Sequence, residues 1–109
     1  MADNALLIAD DEESVRRLLY EVGSKAGYEV YTAADGEEAI KLAREINPAV
    51  IMLDIRMPAI DGLKAFEMIH AEKPDTVIIL MTAYGTASTA AEAMARGAFD
   101  YLIKPSDVN

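Results

Sequence analysis

Apolar residues along this chain alternate between two kinds of spacing. Three short runs are continuous or nearly so: Ala5–Ala9 (Ala-Leu-Leu-Ile-Ala), residues 49–54 (Ala-Val-Ile-Met-Leu-Asp, ending in the acid) and residues 76–81; residues 28–32, rich in β-branched and aromatic residues, and residues 99–103 make two more short candidate strands. Runs of this length bounded by turn residues predict strands, and the most apolar of them predict strands buried on both faces of a parallel sheet. Between them, apolar positions recur at helical spacing. Val15, Leu18, Leu19, Val22 and Ala26 form one stripe, which Gly27 ends. Asp35 with Glu38 three residues on predicts a capping box; the helix it opens turns Ala39, Ile40, Ala43 and Ile46 inward and stops at Asn47-Pro48. A third helix begins at Asp61-Gly62, carries Leu63, Phe66 and Ile69 on one face and stops at Lys73-Pro74. The fourth is thinner, with Ala87, Ala90, Ala91 and Met94 as its stripe and Gly97 at its end.

Five strands alternating with four helices predict an α/β fold, doubly wound about a parallel sheet. With the flavodoxin-like strand order 2-1-3-4-5, right-handed crossovers put the first helix on one face and the other three on the opposite face. One helix does not cover a five-stranded face. The expectation is therefore that a fifth, C-terminal helix is missing, or that a neighbouring chain supplies the cover, since uncovered apolar sheet usually marks an interface.

Length and composition narrow the class. The 109 residues suffice for one domain, here expected to span 1–109. Cysteine is absent, which excludes disulfides and thiolate metal sites. No apolar run approaches the roughly 18 residues of a membrane span, and the N-terminus lacks the pattern of a signal peptide. The chain is expected to be cytoplasmic and not to contact membrane. A net charge of −9 argues against direct nucleic-acid binding.

The acids at the ends of the predicted strands carry the chemistry. The first run ends in Asp10-Asp11 and the third in Asp54. In the order 2-1-3-4-5 these two strands are adjacent, so the three carboxylates share one sheet edge, where ligands of open α/β sheets bind. Singly, each would serve to cap the helix that follows it. Together they repel one another unless a cation or protons intervene. Oxygen-only ligands favour a hard ion such as Mg²⁺. The neighbouring strand ends add the hydroxyl of Thr82 and the ammonium of Lys104. An aspartate beside a metal, a lysine and a hydroxyl suits phosphoryl transfer onto the carboxylate.

The ordered set Asp10-Asp11, Asp54, Met57-Pro58 with Asp61-Gly62, Thr82-Ala83 and Lys104-Pro105 closely resembles the receiver domain of bacterial two-component response regulators. The resemblance runs over essentially the whole chain. It implies a signalling protein whose Asp54 accepts a phosphoryl group from a sensor histidine kinase and which catalyses only its own phosphorylation and dephosphorylation. It implies Mg²⁺ held by Asp10, Asp11, Asp54 and the backbone carbonyl of Arg56. Thr82 would bond the phosphoryl group and Lys104 would pair with it. Tyr101 matches an aromatic switch position coupled to Thr82, and Ala83 a small residue that leaves the site open to the donor. The side chains of Arg56 and Tyr84 match positions that tune the lifetime of the phosphoryl group. The Lys104-Pro105 bond would be cis. Ser106 departs from the apolar residue usual after Lys-Pro, and the surface involved often mediates homodimerisation or output. The stretch 81–104 is also similar to receivers of transcriptional activators that drive an ATPase domain, which implies a longer protein with an output domain.

Two other classes share parts of this pattern. A haloacid-dehalogenase-type phosphatase also uses an aspartate after a strand, but wants a second Asp where this chain has Arg56. A flavodoxin-like binder of small ligands needs a phosphate-cradling loop after the first strand, where Asp10 to Glu13 would repel a phosphate. His70 is expected at the surface and Tyr101, taken alone, as an ordinary half-buried strand aromatic. The Ala-rich fourth helix is expected to be the least stable helix and to shift on activation.

Overall fold

The computed structural model describes residues 4–57, 62–82 and 87–104. Along the chain run β1 (Ala5–Ala9), α1 (Glu13–Lys25), β2 (Glu29–Ala33), α2 (Gly36–Ile46), β3 (Val50–Asp54), α3 (Gly62–Glu72), β4 (Val77–Thr82), α4 (Ala87–Ala95) and β5 (Asp100–Ile103). All neighbouring strands are parallel, in the order β2-β1-β3-β4-β5. The expected class and strand order hold, with four helices among the described residues.

Local signals account for most helix ends. Asp35 accepts the Glu38 amide at 2.8 Å, and Glu38 returns its Oε1 to the amide of Ala34, one residue before the position a strict capping box would use. Asn47 closes α2 with φ 48°, a left-handed conformation that asparagine tolerates. Gly27 follows α1 with φ 99°, where a side chain would be strained. Helix α1 starts differently: Glu12 occupies its N-cap and makes no capping bond with its side chain.

The larger part of the core lies on one side of the sheet. Leu7, Ile51, Leu53, Ile78 and Leu80 point there and meet Ala39, Ile40 and Ala43 of α2 and Ala65, Phe66 and Ile69 of α3. Because side chains alternate along a strand, Leu6, Ile8, Met52 and Ile79 face the other way. On that side α1 comes close to Leu6 and Val30 through Gly23. Met52 and Ile79 are only half-buried, and Leu102 of β5 is 41% exposed.

This thin cover overturns part of the stripe expected for α1. Val15 is buried, but Leu18 and Val22 are 46% and 56% exposed and Ala26 is exposed. Their periodicity records an apolar face that α1 and the sheet alone do not enclose. The α4 stripe is corrected too. Ala93 is the buried residue, while Ala91 and Met94 are exposed; the side chains of Ala87 and Ala90 lie outside the described set. His70 is not the plain surface residue expected. Its ring is half-buried, stacks on Phe66 at 5.4 Å and lies against Gly97.

Candidate functional site

Parallel strands bring four polar side chains to one edge of the sheet. Asp10 directly follows β1, Asp54 ends β3, Thr82 ends β4 and Lys104 directly follows β5. Backbone bonds continue the ladder past the strands and fix these positions: Asp10 N–H donates to Ala33, Ile55 N–H to Met81 and Lys104 N–H to Thr82. All four side chains are buried, and they are the buried polar or charged residues among those described. Asp11 lies beside them and is exposed.

The three aspartates converge as the sequence required. Asp10, Asp11 and Asp54 each offer a carboxylate oxygen within 4.8 Å of the others. Such a set suits a hard divalent cation, which takes oxygen ligands and fills its remaining positions with water. The donor set therefore fits Mg²⁺. The backbone amide of Arg56 donates to Asp54 Oδ1 at 3.2 Å, so the loop after β3 is folded back onto the carboxylate.

The start of α3 packs close against the end of β3. Gly62 donates its N–H to Ile55 O at 2.6 Å, and a Cβ at residue 62 would collide with the Asp54 carbonyl and with Ile55 Cα. Only glycine lets the first turn of α3 sit this close behind β3. The expected Asp61 start and Pro58 lie outside the described residues, whereas Met57 is buried.

Lys104 is the cationic centre. Its Nζ lies 3.0 Å from Asp10 Oδ2, 3.2 Å from Asp54 Oδ2 and 3.2 Å from Glu12 Oε1. Burial alone would depress this ammonium, but the bond to Asp10 and the charges of Asp54 and Asp10, with help from Glu12, raise it above the ordinary lysine value. It stays charged at any physiological pH. Asp54 is raised as well, opposite to what a lysine partner alone would do. Burial, and then the charge of Asp10, push it up from 3.8 to about 6, against the pull of the Arg56 amide and of Lys104. One ammonium does not neutralise the cluster, which leaves a site short of positive charge.

Two contributors were not legible as site residues. Arg16, on the first turn of α1, donates to the Asp10 carbonyl at 2.8 Å and holds the β1–α1 junction. Glu12 reaches Lys104 across the site. Both belong to stretches that read as helix start and solvated charge; the turn of Arg16 back onto the Asp10 carbonyl and the reach of Glu12 to the end of β5 left no mark in the spacing. Tyr101 is half-buried against the core, and its hydroxyl is buried without a hydrogen-bond partner among the described residues. Ala83, Tyr84, Pro105 with its expected cis bond, and Ser106 lie outside the described residues.

The family model for the response regulator receiver domain matches residues 6–109. The regulatory protein AtoC of Escherichia coli is 45% identical over 108 residues, which are 99% of this chain but 23% of AtoC, so the chain spans under a quarter of that relative. A response regulator from Burkholderia pseudomallei, solved with a phosphorylated aspartic acid and calcium, superposes with a TM-score of 0.88 at 32% identity, covering 97% of this chain and 62% of that one. The regulator TrrA of Thermotoga maritima, solved in complex with Mg²⁺-BeF, gives 0.85 at 37% identity, covering 97% and 90%. Matched over nearly its whole length, this chain belongs to the response regulator receiver family.

Proposed function

We propose that this chain is a phosphorylation-controlled receiver in which Asp54 takes a phosphoryl group from the phosphohistidine of a sensor histidine kinase. The observation that carries the reading is the buried Asp54 carboxylate at the end of β3, with Asp10, Asp11 and Lys104 gathered around it. An Asp54 oxygen attacks phosphorus, the new P–O bond replaces the P–N bond to imidazole, and the kinase histidine leaves with the bonding pair.

Each residue then has a task. Asp54 is the nucleophile, and the Arg56 amide on its Oδ1 orients the carboxylate so that Oδ2 faces the donor. Lys104 transfers its pairing from Asp54 to the oxygens of the arriving phosphoryl group and offsets their charge. Thr82, at the end of the neighbouring strand, donates its hydroxyl to the same group. Asp10, Asp11, an Asp54 oxygen and the Arg56 carbonyl would hold Mg²⁺, which when bound supplies positive charge to the transferring oxygens. Hydrolysis by water regenerates Asp54, so turnover is confined to the chain's own phosphoryl group.

The output follows from Thr82. Drawn toward the phosphoryl group, its side chain vacates space on the side of β5, and Tyr101, with its unsatisfied buried hydroxyl, is the side chain placed to respond. Ala83 and Tyr84 are read as modulators of access and lifetime, and a shift of α4 would pass the change to an output domain, a partner or a second copy. Residues 1–109 are read as one receiver unit with a cytoplasmic setting. Among the described residues, no helix is long and apolar enough to cross a membrane.

Incubation with a small phosphodonor and Mg²⁺ tests the reading by intact mass. One phosphoryl group is expected on the parent chain and none on Asp54→Asn. Equal labelling of both, or no labelling of the parent, refutes it.

A further inference from the structure

An ammonium has three N–H donors, and Lys104 faces three carboxylates. Two of them, on Asp10 and Asp54, are buried and belong to the reaction site; the third, on Glu12, is an exposed acid from the N-cap of α1. Glu12 has a different task available at that position. Its side chain forgoes the capping bond and points to Lys104 Nζ at 3.2 Å instead. Its backbone is held meanwhile, since its N–H donates to Asp10 Oδ1 at 2.9 Å. The side chain thus starts from a fixed point beside the cluster.

We infer that Glu12 is a positioning residue that tethers Lys104 on the outer side of the acid cluster and keeps it from settling wholly between Asp10 and Asp54. The consequence is competitive. Lys104 and a divalent cation seek the same carboxylate oxygens, so a lysine drawn outward yields those oxygens more readily. The tether is also the one of the three partners that need not change when Asp54 is modified, because Glu12 lies outside the set proposed to hold metal or phosphoryl group. This inference rests on the receiver reading above as far as the metal is concerned; the placement of Lys104 by Glu12 does not.

Two measurements separate these parts. Magnesium chloride titrated into the metal-free chain and followed by calorimetry reads the competition in a double-mutant cycle of Glu12→Gln and Lys104→Met. Glu12→Gln is expected to weaken Mg²⁺ binding about threefold in the parent and to have little effect, under about 1.5-fold, beside Lys104→Met. An equal loss in both backgrounds would mean that Glu12 attracts the ion directly, and no loss in either would mean that it is a solvated acid; each overturns the tether. Nitrogen-15 spectra of the Lys104 ammonium, recorded without metal, give the independent readout. Its protons should exchange with water at least about threefold faster in Glu12→Gln, as loss of a partner requires, and unchanged exchange overturns the inference. Failure of the parent to bind Mg²⁺ would sink the metal reading, and the ammonium spectra would still decide the tether.

Discussion

Replacing Asp54 by asparagine should stabilise the metal-free chain at neutral pH, although it removes an ion-pair partner of a buried lysine. The carboxyl is raised from 3.8 to about 6 by burial and by Asp10. A folded-state value above the unfolded one means that the folded chain binds the proton more tightly. This contribution to stability is present in full below about pH 4 and is lost as pH rises through about 6. Two pH units correspond to about 3 kcal/mol, the cost of holding Asp54 ionised in the folded chain. Asparagine avoids that cost, and the pull of Lys104 on the ionised carboxylate is already contained in the value of about 6, so a net gain of about 2–3 kcal/mol is expected near pH 7.5. For a domain of this size that is a rise in melting temperature of about 10–15 °C. Urea unfolding with a chelator present, followed by circular dichroism, measures the difference. At about pH 4 it should shrink to within about 0.5 kcal/mol, because parent and variant are then both neutral at residue 54. A variant less stable than the parent near pH 7.5 would show that pairing with Lys104 outweighs burial. A gain of equal size at both pH values would remove ionisation as its cause.

Two further outcomes follow from the same geometry. Mg²⁺ at a hundredfold excess over its dissociation constant should stabilise the parent by about 2.7 kcal/mol, and the increment should vanish in Asp11→Asn, read by melting with and without the ion. Gly62→Ala should cost about 1–3 kcal/mol, because its Cβ would strike the Asp54 carbonyl. It should also slow labelling by a phosphodonor, and a variant with parental stability and rate would show that α3 withdraws without disturbing the acceptor strand.

What could be read beforehand depended on whether a signal was local. The apolar runs of β1 and β3 are continuous and end in acids, so both the strands and the convergence of Asp10 with Asp54 followed from strand order alone. Strand edges were less sharp: residues 28–32 became Glu29–Ala33 and 76–81 became Val77–Thr82, since hydrogen bonding with the neighbouring strand sets the limits. The stripe of α1 was legible as a pattern but not as burial, because Leu18 and Val22 keep the helical spacing yet stay exposed. His70 was misjudged for the opposite reason. A single polar residue on a helix reads as solvated, yet here the apolar face of Phe66 and the open side of Gly97 give its ring a place to pack.

The site's electrostatics connect these results. A folded chain that holds Asp10 and Asp54 against one ammonium has spent stability on being short of positive charge, and any cation that enters recovers part of it. In the proposed reaction, metal binding and the readiness of the aspartate would then be one property rather than two. The transferring phosphoryl group carries more negative charge than the carboxylate it modifies, so without added positive charge it would enter a site that already resists ionisation. Lys104 would meet part of that need from a buried position that is fixed at its backbone by the bond from its N–H to Thr82. The same bond joins the lysine strand to the residue proposed to report phosphorylation. A variant that neutralises Asp10 removes one carboxylate of the candidate metal set and the charge that helps to raise Asp54, and should abolish both Mg²⁺ binding and labelling. If Asp10→Asn still labelled at the parental rate, the shortage of positive charge would be a packing accident with no part in the chemistry.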